Sequence, residues 1–254
     1  MSPPQTTDTL RTEPSPKRVR ALVGGVVAAD TRRPVLVWEK PYYPTYYLPR
    51  GDVLGELVDV GTVDASSDDG LRGQRRLHDL VLGERTLSGA ASTYPDSPDP
   101  TLRDLVRIDW AAVDQWLEED EPIFVHPRDP YKRVDILASS RHVRIELDGV
   151  TVADSGQPRI LFETGLIPRY YLPYTDVRTD LLRDSDTVSH CPYKGSASWW
   201  SVQAGDTLHD GVAWTYRAPL PESQKVTGLV CFYDERVDMW LDGVRQPRPS
   251  SPFA

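Results

Sequence analysis

The sequence predicts an all-β protein, mainly strands with a few short helices, built as two tandem copies of one domain. Three observations carry that prediction. Residues 19–53 align without a gap to residues 143–177, and Asp30 and Asp154, Glu39 and Glu163, and Asp52 and Asp176 each stand 124 positions apart. A period this long marks duplicated domains, not a solenoid of short repeats. Short runs that alternate apolar and polar residues recur between turn residues, and few segments hold a helical period.

Residues 1–17 are rich in Pro, Ser and Thr and are read as a disordered tail. The first copy is placed at 18–138. Its polar run Asp64-Ala65-Ser66-Ser67-Asp68-Asp69-Gly70 marks a loop insertion near 55–85. With Gly89 set against Gly195, 37 positions separate Asp52 from Gly89 and 19 separate Asp176 from Gly195, an insertion of 18. Leu77–Glu84 and Thr101–Glu119 are read as short helices, and Trp110 to Asp135 is set against Trp214 to Asp238.

The second copy is placed at 139–246, with a disordered tail at 247–254. Val143–Leu147 alternates like a half-buried strand, Asp148-Gly149 is a hairpin signal, and Val150–Ala153 is its return strand. Arg159–Glu163 is a strand, and Tyr170-Tyr171-Leu172, between Pro168 and Pro173, is a short extended piece. Ala213–Tyr216 is a strand and Pro221–Lys225 a single helical turn. Gly228–Tyr233 and Arg236–Leu241 form a closing strand pair around Asp234-Glu235.

Net charge is −9, which opposes binding to nucleic acid or to an anionic membrane surface and suits a dispersed cytoplasmic protein. No apolar run approaches the ~18 residues of a membrane span, and the first residues lack the pattern of a signal peptide. The two cysteines, Cys191 and Cys231, are too few for a disulfide framework. A metal site from His190, Cys191 and Cys231 is disfavoured, because no CxxC partner exists and adjacent residues share one ion poorly. No cofactor is expected.

The segment His190-Cys191-Pro192-Tyr193-Lys194-Gly195-Ser196 gathers an imidazole, a thiol, a phenol, an amine and a hydroxyl. Lys194 suits a phosphate or carboxylate as a point charge, and Gly195 lets backbone approach a ligand. A plain surface turn explains the same residues. Glu163 follows three apolar residues, so it is expected to face inward, as a structural anchor or an acid–base group of raised pKa. Of Tyr170 and Tyr171, one faces the core and the other a pocket or the surface.

Together, Phe162-Glu163-Thr164, Tyr170-Tyr171-Leu172-Pro173, Cys191-Pro192-Tyr193-Lys194-Gly195 and Val230–Asp238 resemble domain-of-unknown-function family 427 of bacteria and fungi, also labelled a nucleotidyltransferase domain. The resemblance covers the second copy nearly end to end and the first more loosely. It implies a compact β-tent domain akin to small zinc-binding tents, here without the paired zinc-knuckle cysteines. The chain shows no carboxylate pair in a GS-type loop for Mg²⁺-dependent transfer. The resulting expectation is a small polar or anionic molecule bound in the second copy by Tyr171, Tyr193, Lys194 and Ser196, with Glu163 as a catalytic candidate. In the first copy, Ser88 is set against Lys194, Leu87 against Tyr193 and Arg85 against Cys191, so that copy is read as degenerate. A non-catalytic scaffold and a nucleotidyltransferase-like enzyme are the alternatives. The copies are expected to pair as an intramolecular pseudo-dimer.

Overall fold

The structure, a computed structural model, describes residues 10–63 and 71–250. The chain divides into two compact units, Met1–Asp129 and Pro130–Ala254. The first unit forms β1 (Thr12–Pro14), β2 (Val19–Val23), β3 (Val26–Thr31), β4 (Val35–Lys40), β5 (Tyr43–Pro49), β6 (Glu56–Val63), β7 (Arg75–Leu82), β8 (Arg85–Thr93), β9 (Leu105–Ile108), β10 (Gln115–Glu118) and β11 (Glu121–Ile123). The second forms β12 (Val134–Ala138), β13 (Val143–Leu147), β14 (Val150–Ser155), β15 (Arg159–Glu163), β16 (Arg169–Leu172), β17 (Leu182–Cys191), β18 (Gly195–Ala204), β19 (Thr207–Thr215), β20 (Val230–Phe232), β21 (Asp238–Leu241) and β22 (Val244–Arg245). Every helix among the described residues is a short 3-10 turn.

Each unit holds one seven-stranded and one four-stranded antiparallel sheet. In the first they run β1-β4-β5-β9-β8-β7-β6 and β11-β10-β2-β3. The second repeats this strand for strand, as β12-β15-β16-β20-β19-β18-β17 and β22-β21-β13-β14. The two halves are therefore copies of one all-β fold. In the second unit, Val143, Ile145 and Leu147 meet Leu172, Trp200, Val202 and Phe232 between the sheets. Strand alternation puts one row of side chains into that core and the next row on the far face of the larger sheet.

That far face carries a second, smaller core. In the second unit it holds Ile136, Leu161, Tyr171, Ala197, Trp214, Tyr216, Val226 and Cys231. In the first it holds Val37, Tyr47, Tyr94, Leu102 and Leu105. The larger sheet is curled around it. Four strand spacings separate β15 from β18, at least about 19 Å in a flat sheet. Yet Glu163, at the end of β15, touches Lys194, the residue just before β18. Glu39 and Arg72 make the same contact in the first unit.

Several expectations change. Thr12–Pro14, placed in the tail, pairs with β4 as an edge strand, where a proline without an N–H is tolerated. Val134–Ala138, assigned to the first copy, pairs with β15 of the second. Leu77–Glu84 is not helical; it is most of β7 and its turn into β8, which Gly83 makes at φ 61°. Thr101–Glu119 breaks into 3-10 turns and strands β9 and β10. The predicted closing strand pair does not form. Its first strand, β20, lies in the larger sheet and its second, β21, in the smaller, so Asp234-Glu235 is a crossing between sheets. Pro221–Val226 is the expected single turn. Residues 1–9, the run 64–70 read as an insertion, and residues 251–254 lie outside the described residues.

Strand register also corrects the alignment of the copies. His78 pairs with Ala91 as Trp200 pairs with Ala213, an offset of 122. Gly73, Gly83 and Gly89 then correspond to Gly195, Gly205 and Gly211, and all six have positive φ. From Asp52 to Gly73 is 21 positions against 19 from Asp176 to Gly195, so the excess is two residues, not 18. The partner of Lys194 is therefore Arg72, not Ser88. Likewise Ser92, not Trp110, stands opposite Trp214.

Candidate functional site

The second copy brings its site residues together through the β17–β18 turn. Cys191 pairs with Gly195 across this hairpin, and Gly195 takes φ 93°, which only glycine adopts freely. The turn is held down by Leu220, whose N–H donates to the Lys194 carbonyl at 3.1 Å, and by Ser223, whose hydroxyl donates to the Tyr193 carbonyl at 3.3 Å. Lys194 then reaches across the curled sheet and donates to Glu163 Oε2. Their side chains are only 13% and 7% exposed. Burial opposes the ammonium charge, but the Cys191 sulfur and Glu163 outweigh it and raise the Lys194 pKa. The lysine therefore stays charged inside the fold.

Behind the pair lies an aromatic wall. Trp214 Nε1 donates to the Tyr171 hydroxyl at 3.3 Å, and Trp199 packs on Trp214 with centroids 5.0 Å apart. Burial pushes the Tyr171 phenol well above its usual range and does the same to the Cys231 thiol. At the far end, Arg169 donates two bonds of 2.7 Å to Glu235 and lies 3.5 Å from Asp234. Burial lifts the Asp234 carboxyl to about 7, with Arg169 opposing the rise and Glu235 adding to it.

The first copy builds the same position from other residues. Glu39 Oε1 accepts from Tyr47 at 2.7 Å and from Arg107 Nε at 3.0 Å, and Arg72 Nη1 lies 2.9 Å away. Arg72 also donates to the Tyr47 hydroxyl at 3.3 Å. Tyr47 pairs with Arg107 as Tyr171 pairs with Cys231, so Arg107 replaces a buried thiol. Ser92 replaces Trp214, and Arg75 replaces Ala197. The first copy is rearranged, not stripped.

Of the residues singled out from sequence, Glu163 and Lys194 meet directly, and Tyr193 sits beside them in the turn. Tyr171 is 1% exposed and belongs to the wall behind them. Ser196 stands apart: it shares its side of β18 with Trp200, away from Tyr171, and its Oγ lies 2.8 Å from His190 Nδ1. Sequence reasoning missed Arg72, Arg75 and Arg107 in the first copy and Arg169 and Asp234 in the second. The 122-residue offset of three glycines was the signal that finds Arg72. Among the described residues, no three His, Cys, Asp or Glu side chains converge on a metal position, and no helix is long and apolar enough to cross a membrane.

The family model described as Domain of unknown function (DUF427) matches the chain twice, over residues 11–119 and 135–243. Both matches begin at the edge strand of a larger sheet, and they start 124 positions apart. No curated protein matches the chain.

Proposed function

The chain belongs to the DUF427 family as a tandem pair of its domains, and from that premise we propose that it is a small-molecule binding protein. The second copy's turn would take a polar or anionic molecule between Lys194 and Tyr193. The observation that supports this most is an ammonium kept charged within the curl of the sheet, 13% exposed and fixed in direction by Glu163. A preoriented charge of this kind binds a carboxylate or phosphate without first being ordered. Tyr171 would shape the floor and not touch the ligand. Ser196 would contribute only if the ligand extended around the strand. Because Glu163 is committed to Lys194, positioning is favoured for it over proton transfer.

A scaffold reading has one specific support. Each copy holds a buried cation–carboxylate contact at the same place, Lys194–Glu163 and Arg72–Glu39, as a fastener of the curl would require. No feature of the geometry supports the nucleotidyltransferase alternative. A metabolite screen by thermal shift separates the two main readings, since a bound molecule raises the melting temperature with occupancy. A hit whose affinity falls about ten- to a hundred-fold in Lys194→Ala, measured at a temperature where that variant is still fully folded, supports the site. Absence of any hit, or a hit indifferent to Lys194, favours the scaffold.

A further inference from the structure

The concave face of the first copy is lined with arginine where the second is lined with apolar residues. By strand register, Arg75 stands where the second copy has Ala197, Arg107 where it has Cys231, and Ser92 where it has Trp214. Arg107 and Ser92 are direct cross-strand partners, and Arg75 lies beside the Arg76–Thr93 pair, on the same side as Tyr94. One bulky indole is thus exchanged for a hydroxymethyl group between two guanidinium arms.

The charges on this face are not evenly met. Glu39 fixes Arg107 through Nε, and among the described residues no hydrogen bond engages the two terminal nitrogens of Arg107. Arg75 forms no hydrogen bond or ion pair among the described residues, and its Nε is buried without a partner. A buried guanidinium N–H left unpaired is destabilising, so an acceptor brought to it would be favoured. Arg75 and Arg107 project from β7 and β9 with β8 between them. Strand spacing and a two-residue stagger put their Cα atoms roughly 12 Å apart. Two arginine side chains are long enough to meet one oxyanion group across a gap of that size. Planar forks that donate to two oxygens at once are the geometry that phosphate and carboxylate groups select.

We propose that the first copy carries an oxyanion site on its concave face, formed by the Arg75 and Arg107 guanidiniums above Ser92, for a small molecule bearing a phosphate or multiple carboxylates. This goes beyond the second-copy reading and assigns the anion to the copy that sequence treats as degenerate. The second copy lacks the site because Ala197 and Cys231 offer no donor fork and Trp214 fills the space.

The test is isothermal titration of the full chain with inorganic pyrophosphate and, separately, citrate, at constant ionic strength. The main variant is Arg75→Ala with Arg107→Cys, which installs the residues the second copy carries at the same register. The parent should bind at least one probe, and the double variant should bind it about thirty-fold or more weakly. Lys194→Ala removes only the second-copy anchor, so it should still bind one equivalent of the probe, and that equivalent should disappear in the double variant. Should the double variant lose its fold, Arg107→Lys, which keeps the charge and removes the fork, should weaken binding about ten-fold with an unchanged melting temperature. Preference for pyrophosphate identifies phosphate as the ligand chemistry, and preference for citrate identifies carboxylate. Binding of neither probe overturns the proposal, as does binding that survives both arginine variants. Binding lost in Lys194→Ala but retained in the double variant overturns it while supporting the second-copy site.

Discussion

Removing Lys194 leaves Glu163 as a buried, uncompensated carboxylate. Breaking one side of such a pair costs on the order of 3–5 kcal/mol, far more than a rim lysine would. A plain surface turn, which the sequence also allowed, would leave stability untouched; the burial of Lys194 against Glu163 does not. Lys194→Met should lower the second copy's stability by about 3 kcal/mol in denaturant unfolding followed by tryptophan fluorescence, and adding Glu163→Gln should recover part of the loss. A single variant as stable as the parent contradicts the buried pair. Asp234 makes a pH prediction. Its carboxyl titrates at about 7 in the fold, against an ordinary value of 3.8. Folded protein therefore holds a proton that unfolded protein releases. The stabilisation is complete below about pH 4 and is lost as pH rises through 7. Asp234→Asn, which mimics the protonated group, should gain stability over the parent from pH 4 to 7 and hold that advantage above. A difference that is flat with pH would show that Asp234 is not held protonated.

Edge strands decide how each copy begins. β1 pairs Thr12, Glu13 and Pro14 with Val37, Leu36 and Val35, and the Ser15 N–H donates to the Pro34 carbonyl at 2.8 Å. Deleting residues 1–17 strips this strand and bares the β4 edge. The first copy's melting temperature should then fall by several degrees; an unchanged value would make β1 an ornament. Such short pieces were hard to read. Three residues carry too little alternation, and Pro14 argues against a strand unless it lies at an edge. By contrast, β13, β14, β15 and their first-copy equivalents were legible from alternation and the Asp148-Gly149 turn. The middle was misread because Gly89 was taken as the partner of Gly195 on the strength of one glycine, while three glycines agreed on 122. Register also hid the last strands. Val19 pairs with Glu118, but Val143 pairs with Leu241, one position off the 124-residue offset. A one-residue slip turns side chains over. Accordingly, the register counterpart of Trp116, 2% exposed, is the buried Met239, and Trp240 is half-buried on the other face with Arg144 at 4.4 Å over its ring.

At the scale of the whole molecule, duplication was readable because its first 35 residues kept a gapless offset, which needs no chemistry to see. The candidate sites were not readable, because Glu39, Arg72 and Arg107 in the first copy, and Lys194 and Glu163 in the second, meet only once each larger sheet curls. Among the described residues, the chain is one eleven-stranded β unit written twice, and β12 belongs to the second. Val134–Ala138 pairs along its whole length with β15, and Lys225 donates to the Ile136 carbonyl at 3.1 Å. The most direct measurement compares fragments 130–254 and 139–254 by amide NMR dispersion and denaturant unfolding. Fragment 130–254 should fold alone with dispersed β-sheet amides, and fragment 139–254 should be less stable by several kcal/mol. A collapsed spectrum for 130–254, or equal stability of the two, would contradict the account.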